Sequence, residues 1–177
     1  MNYRNIALES NIGKSLFKEK EEQCVFISHK KEDEQAAIDI GRYLTDVVGV
    51  HIYLDFLDDK LQKATQIEND QVIVDSIKEG LKYSTHLLCL ISDKTRLSWW
   101  VPYEIGVADD KNLKIASLKL NKTDDIPSYL KVHPAFYNVN QFVEYTSTYK
   151  KYGQIFYEKS YRNLSACTDL LKKHIEY

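Results

Sequence analysis

The 177-residue chain has no run approaching the roughly 18 consecutive apolar residues needed to cross a bilayer. Its opening, MNYRNIALESNIGKSLFKEKEEQ, lacks the apolar centre of a secretory leader. A cytoplasmic protein with no membrane partner is the expectation. Cysteine is scarce: Cys24, Cys89 and Cys167 have no metal-ligand spacing, and the first two lie inside apolar runs. They read as small buried hydrophobes rather than a disulfide framework or a metal site. Charge of one sign is also missing, because 24 basic and 26 acidic residues leave a formal net charge of -2. That balance gives no footprint for nucleic acid. No GxGxxG or GxxxxGK[ST] follows the first apolar run, so neither the usual dinucleotide fold nor a P-loop is supported. The absence of GxSxG and HExxH disfavours an α/β hydrolase and a zinc peptidase. A phosphoacceptor receiver needs an aspartate ending the third strand, where Leu90-Ile91-Ser92 stands instead.

What is present has a regular order. The length suits one domain with a substantial core. Residues 1–22 read as a short helical lead-in docked on a domain spanning 23–177. Cys24 to Ser28 is a compact apolar strand, and Ala36, Ala37, Ile40, Tyr43, Leu44 and Val47 then recur with helical period, with Gly49 at a helix C-terminus. His51 to Phe56 reads as a second strand, followed by a polar connection from Leu57 to about Gln71 that is long for an α/β unit. Val72, Ile73, Ile77, Gly80 and Leu81 mark a second helix, and Thr85 to Ser92 a third strand. Leu113 to Leu120 alternates imperfectly and suits a strand nearer an edge. Beyond 121 the pattern predicts a short helix over 126–132, a last short strand within 137–145 and a closing amphipathic helix over 154–174. Strand-helix alternation with short apolar strands argues for an α/β fold, a parallel sheet of about five strands covered on both faces. Thirteen tyrosines, crowded into the last third, are expected to be half buried or held at an interface.

The chain is organised around Ser98-Trp99-Trp100-Val101-Pro102-Tyr103-Glu104, between the third strand and the helix after it. In an open α/β sheet, ligands bind where strands feed into helices. Pro102 fits the first turn of a helix, and Ser98 or Asp93 is placed to cap it. Trp100 and Glu104 then lie one turn apart on a shared face. At least one of the two tryptophans is expected in the core, with Trp100 assigned to the cleft; a solvated Glu104 is the plain alternative. A cleft at the strand ends would gather Ser28 to Lys31, Asp55 to Asp59 and Trp99 to Glu104. Lys30 and Lys31 suit a phosphate or a solvated loop, and Ser28 and His29 suit a substrate or simply the strand's end. Trp100 suits a flat ring and Glu104 a sugar. If the bond broken is N-glycosidic, the transition state resembles an oxocarbenium ion, which a fixed carboxylate stabilises. Loss of such a charge costs roughly two to three powers of ten in rate, about 3 to 4 kcal/mol.

Two segments carry a resemblance. Cys24-Val25-Phe26-Ile27-Ser28-His29-Lys30-Lys31-Glu32-Asp33 resembles the opening strand and loop of Toll/interleukin-1 receptor (TIR) domains, particularly bacterial ones. Trp100-Val101-Pro102-Tyr103-Glu104 resembles the tryptophan-to-glutamate motif of TIR domains that consume NAD+. The resemblance covers residues 23–120, leaving 121–177 as a tyrosine-rich extension. It implies a flavodoxin-like TIR fold, Glu104 as catalytic glutamate and Trp100 as cleft aromatic. It also implies Asp55 and Phe56 on the nicotinamide side, and residues 57–70 as a loop that mediates assembly and gates the nucleotide. The loop departs from the family in having neither glycine nor proline. A stand-alone TIR protein of this type is similar to the signal-making subunit of Thoeris antiphage systems, whose product a separate effector senses. The resemblance therefore implies NAD+ as substrate, no cofactor and no metal, homotypic assembly, and cleavage of the nicotinamide-ribosyl bond as a glycohydrolase or ADP-ribosyl cyclase. The rival expectations are a non-enzymatic TIR scaffold and a nucleoside deoxyribosyltransferase-like enzyme.

Overall fold

The computed structural model describes residues 23–54, 70–121, 125–149 and 168–176. The lead-in over 1–22, the pair Asp55 and Phe56, and nearly all of the long connection after the second strand lie outside these residues. Five parallel strands, β1 (Cys24–Ser28), β2 (His51–Tyr53), β3 (His86–Ile91), β4 (Lys114–Lys119) and β5 (Ala135–Phe136), form one sheet in the order β2-β1-β3-β4-β5. That is the flavodoxin-like order of doubly wound α/β proteins, in which the chain runs one way from β1 to β2 and then crosses to β3. The reversal between β1 and β3 opens a crevice beyond their carboxyl ends.

Both faces of the sheet are covered because successive side chains on a strand point to opposite sides. Val25 and Ile27 of β1, Leu88 and Leu90 of β3, and Ala116 and Leu118 of β4 pack on one face against α1 (Glu34–Tyr43), together with Phe142, Leu171 and Ile175. Cys24 and Phe26, Leu87, Cys89 and Ile91, and Ile115 face the other way, onto α2 (Asp70–Lys82) and α3 (Trp100–Asp110). The chain leaves α1 through a π turn at Leu44–Val48 and ends it at Gly49, whose φ of 78° is the left-handed conformation glycine accepts.

Several sequence expectations change at the residue level. Asp70 and Gln71 are already helical, so the long connection ends before them. The edge strands are β2 and β5, and β4 lies one place inside β5, nearer an edge than the central β3, in keeping with its imperfect alternation. The predicted helix over 126–132 contracts to a 3-10 turn at Ser128–Leu130. The strand expected within 137–145 is instead α4 (Val139–Ser147), preceded by β5. The reason is capping: Asn138 Oδ1 accepts the Gln141 N–H at 2.9 Å, and Val139, Phe142, Val143 and Thr146 recur with helical period. The described part of the closing helix runs 168–171 and turns at 172–174, setting Leu171 and Ile175 into the core.

Candidate active site at the β1–β3 crossover

The site begins with α3. The Ser98 hydroxyl oxygen accepts the Val101 N–H at 3.2 Å, satisfying one of the helix's orphan donors, whereas Asp93 stays exposed. Pro102 occupies the first turn, where a missing N–H costs no hydrogen bond. The inward positions of α3 are Val101, Glu104, Ile105 and Ala108. A carboxylate therefore sits among three apolar residues on the face that meets the sheet. Glu104 is only 2% exposed, and the Ser28 hydroxyl donates to its Oε2 at 2.5 Å.

The neighbours of this pair follow from the strand register. Ser28, the last residue of β1, stands opposite Cys89 of β3, which stands opposite Ser117 of β4. Burial pushes the Cys89 thiol well above its usual range, the nearby Glu104 carboxylate pushes it further, and a hydrogen bond with Ser28 offsets part of this. A thiol so placed stays protonated and inert. Tyr129, on the 3-10 turn after β4, has its hydroxyl raised by burial and then by Cys89. Its neighbour Leu130 is fully buried in the α2/α3 core and anchors that turn.

The loops after β1 and β3 are tied to each other. Ser92 Oγ donates to Asp33 Oδ2 at 2.5 Å, and Lys94 Nζ lies 3.9 Å from Asp33 Oδ1. Thr95 closes the second loop by accepting the Ser92 N–H and donating to the Leu90 carbonyl. An open cleft of about 400 Å³ lies beside these loops, lined by residues that include Glu32, Asp33, Ser92, Lys94 and His174. Its walls do not include Glu104 or Trp100.

The remaining sequence-selected residues divide. Trp100 is 37% exposed, with its ring edge-on to Tyr103 at 6.1 Å between centroids. Trp99 is 91% exposed, which corrects the expectation that one tryptophan is core. Both lie off the stripe made by Val101, Ile105 and Ala108, and that stripe is what packs. His29 is buried, its Nδ1 3.1 Å from the Ile27 carbonyl oxygen, while Lys30 is half-buried and gives its carbonyl to the Asp33 N–H. Asp55 and Phe56 lie outside the described residues. Sequence reading gave Cys89 only a packing role and passed over Tyr129. The first lies in an apolar run and the second in a stretch without a motif, so only the register brings Cys89 beside Ser28 and Glu104, and only the turn brings Tyr129 within electrostatic reach of Cys89. Among the described residues no cluster of His, Cys, Asp and Glu could hold a metal ion, and no helix is long and apolar enough to cross a membrane.

The strand order and the two-sided packing are those of a TIR domain. The chain superposes with a TM-score of 0.51 on the crystal structure of the TIR domain of the Toll-related receptor TRR-2 from Hydra magnipapillata, at 12% identity, over 80% of this chain and 97% of that one. Residues 26–125 match the family model described as Thoeris protein ThsB, TIR-like domain, and the chain belongs to that family. A curated protein of Bacillus cereus (strain MSX-D12), named "Probable 3' cyclic ADP-D-ribose synthase ThsB'", is 25% identical over 105 residues. The match covers 59% of this chain and 53% of that protein, so the chain spans about half the length of this relative.

Proposed function

We propose that the protein is an NAD+-consuming TIR enzyme that cleaves the nicotinamide-ribosyl bond and passes on an ADP-ribose-type signalling nucleotide. The observation that carries this reading is the Glu104 carboxylate, buried at the switch point of the sheet and one helical turn from the half-open Trp100. A glutamate on the packed face of a helix costs free energy by desolvation. Such a cost persists where a fixed charge has a task. The leaving group in NAD+ already carries positive charge, so no general acid is needed. What the reaction requires is a negative charge near C1 of the ribose as the oxocarbenium ion develops, and low surrounding polarity strengthens that field.

The name of the Bacillus cereus relative favours cyclisation over simple hydrolysis as the fate of the ADP-ribosyl group. Trp100 would cover a flat ring of the dinucleotide, and Lys30 would face a phosphate. Assembly of TIR domains would complete the cleft, so specific activity is expected to rise with protein concentration. The product would be read by a separate effector in antiphage defence. Incubation of concentrated protein with NAD+, with nicotinamide followed by chromatography and the nucleotide product by mass spectrometry, tests the proposal. Wild type should release nicotinamide and Glu104→Ala should not. Release by both equally would remove Glu104 from the chemistry, and release by neither under any assembly condition would favour a TIR scaffold.

A further inference from the structure

We propose that Ser28 is a positioning residue for Glu104, its hydroxyl holding the carboxylate ionised and turned toward the ends of β1 and β3 without itself touching the nucleotide. The inference rests on the functional reading of Glu104 above. Ser28 is 0% exposed and lies on the sheet beneath α3, the helix that carries Glu104. Its hydroxyl is donated to Glu104 Oε2, 76 residues away in the chain. The third observation is the row in which Ser28 sits. Ser28, Cys89 and Ser117 stand abreast on β1, β3 and β4, all on the α3 side of the sheet. Ser117 is fully buried, and its Oγ finds no hydrogen-bond partner among the described residues.

Small side chains across three adjacent strands leave depth beneath α3. A leucine at 89, like those at 87, 88 and 90, would fill it and force the Glu104 side chain outward. The row therefore makes room for a carboxylate to reach the sheet, and Ser28 supplies a proton donor to it there. A hydrogen bond to the charged form favours that form, so its removal should make Glu104 harder to ionise.

The test is a titration with a kinetic readout beside it. Glutamate labelled with carbon-13 at the side-chain carboxyl is followed by NMR against pH in wild type, Ser28→Ala and Ser28→Cys. The Glu104 resonance is assigned by its loss in Glu104→Gln. Cysteine keeps most of the volume and donates far more weakly. With cooperative melts retained, the titration midpoint should rise by about one to two pH units in both variants. The acid limb of nicotinamide release should move with it, and the rate should recover on the alkaline side. An unmoved midpoint, or loss of cooperative melting in both variants, overturns the proposal and leaves Ser28 as packing. A midpoint that moves in a protein with no nicotinamide release would sink the functional reading while supporting the positioning contact, so the two failures are told apart.

Discussion

At the scale of the residue, the informative groups are polar side chains taken out of water. Glu104 and Cys89 share a wall of the α2/α3 core, and a carboxylate beside a buried thiol suppresses thiolate formation. Cys24, buried at the far end of β1, is pushed up to about 12 by burial, slightly offset by its contact with Ser84. Neither thiol can react while the fold is intact. In a Cys167→Ser variant, an aromatic disulfide reagent at neutral pH should leave the native protein essentially unlabelled, and should titrate both remaining thiols after denaturation. Rapid labelling of Cys89 in the native state would mean that the wall around Glu104 opens to solvent far more than its 2% exposure allows. The spacing of Trp100 and Glu104 was legible from four residues of sequence. The Ser28–Glu104 bond was not, because it depends on which strand lies beside β1 and in what register.

Elements were legible where local pattern and tertiary role agree. Uninterrupted apolar runs announce β1 and β3, since strands buried on both faces need no polar alternation. Residues 137–145 misled because tyrosine and valine favour strands, while the decisive signal was a single cap, Asn138, whose partner lies three residues on. Gly80 shows a tertiary demand hidden inside a helical pattern. A Cβ there would lie 2.5–2.9 Å from ring atoms of Tyr53, which is itself buried and stacked on Phe26 at 5.2 Å. Alanine gains about 1 kcal/mol of helix propensity over glycine, but overpacking a rigid ring costs about 1 to 3 kcal/mol. Gly80→Ala should therefore lower stability by up to about 2 kcal/mol in urea melts. A stabilised variant would show that α2 and β2 stand further apart than described.

For the whole molecule, the fold class was readable from strand-helix alternation, and the closing helix from the spacing of Leu171 and Ile175, but the contacts that tie the tail to the domain were not. The tail's contribution is a set of tertiary contacts: the Asn121 N–H to the His174 carbonyl, the Val139 N–H to the Glu176 carbonyl, and His174 Nε2 at 2.8 Å from Asp39 Oδ2. None has a local signature. The sheet also sets a pH limit. His86, at the start of β3, is lowered to about 4 by burial first and then by Lys114, its register partner on β4. The unfolded chain protonates this histidine near its ordinary value of about 6.5, so on acidification the unfolded state takes up the proton first. Stability should be full above about 6.5 and decline from there to about 4. Melting temperatures measured across that window should fall more steeply for wild type than for His86→Gln. Parallel slopes would show that His86 is not held neutral in the folded state.

If one buried carboxylate at the β1–β3 crossover performs the chemistry, Glu104→Gln should expose it with the least structural disturbance, because only the charge is removed. The measurement is nicotinamide release in a single turnover, on wild type and variant with matched melting temperatures and matched NAD+ binding. A loss of about two to three powers of ten in rate is expected. A variant within a few-fold of wild type would contradict it.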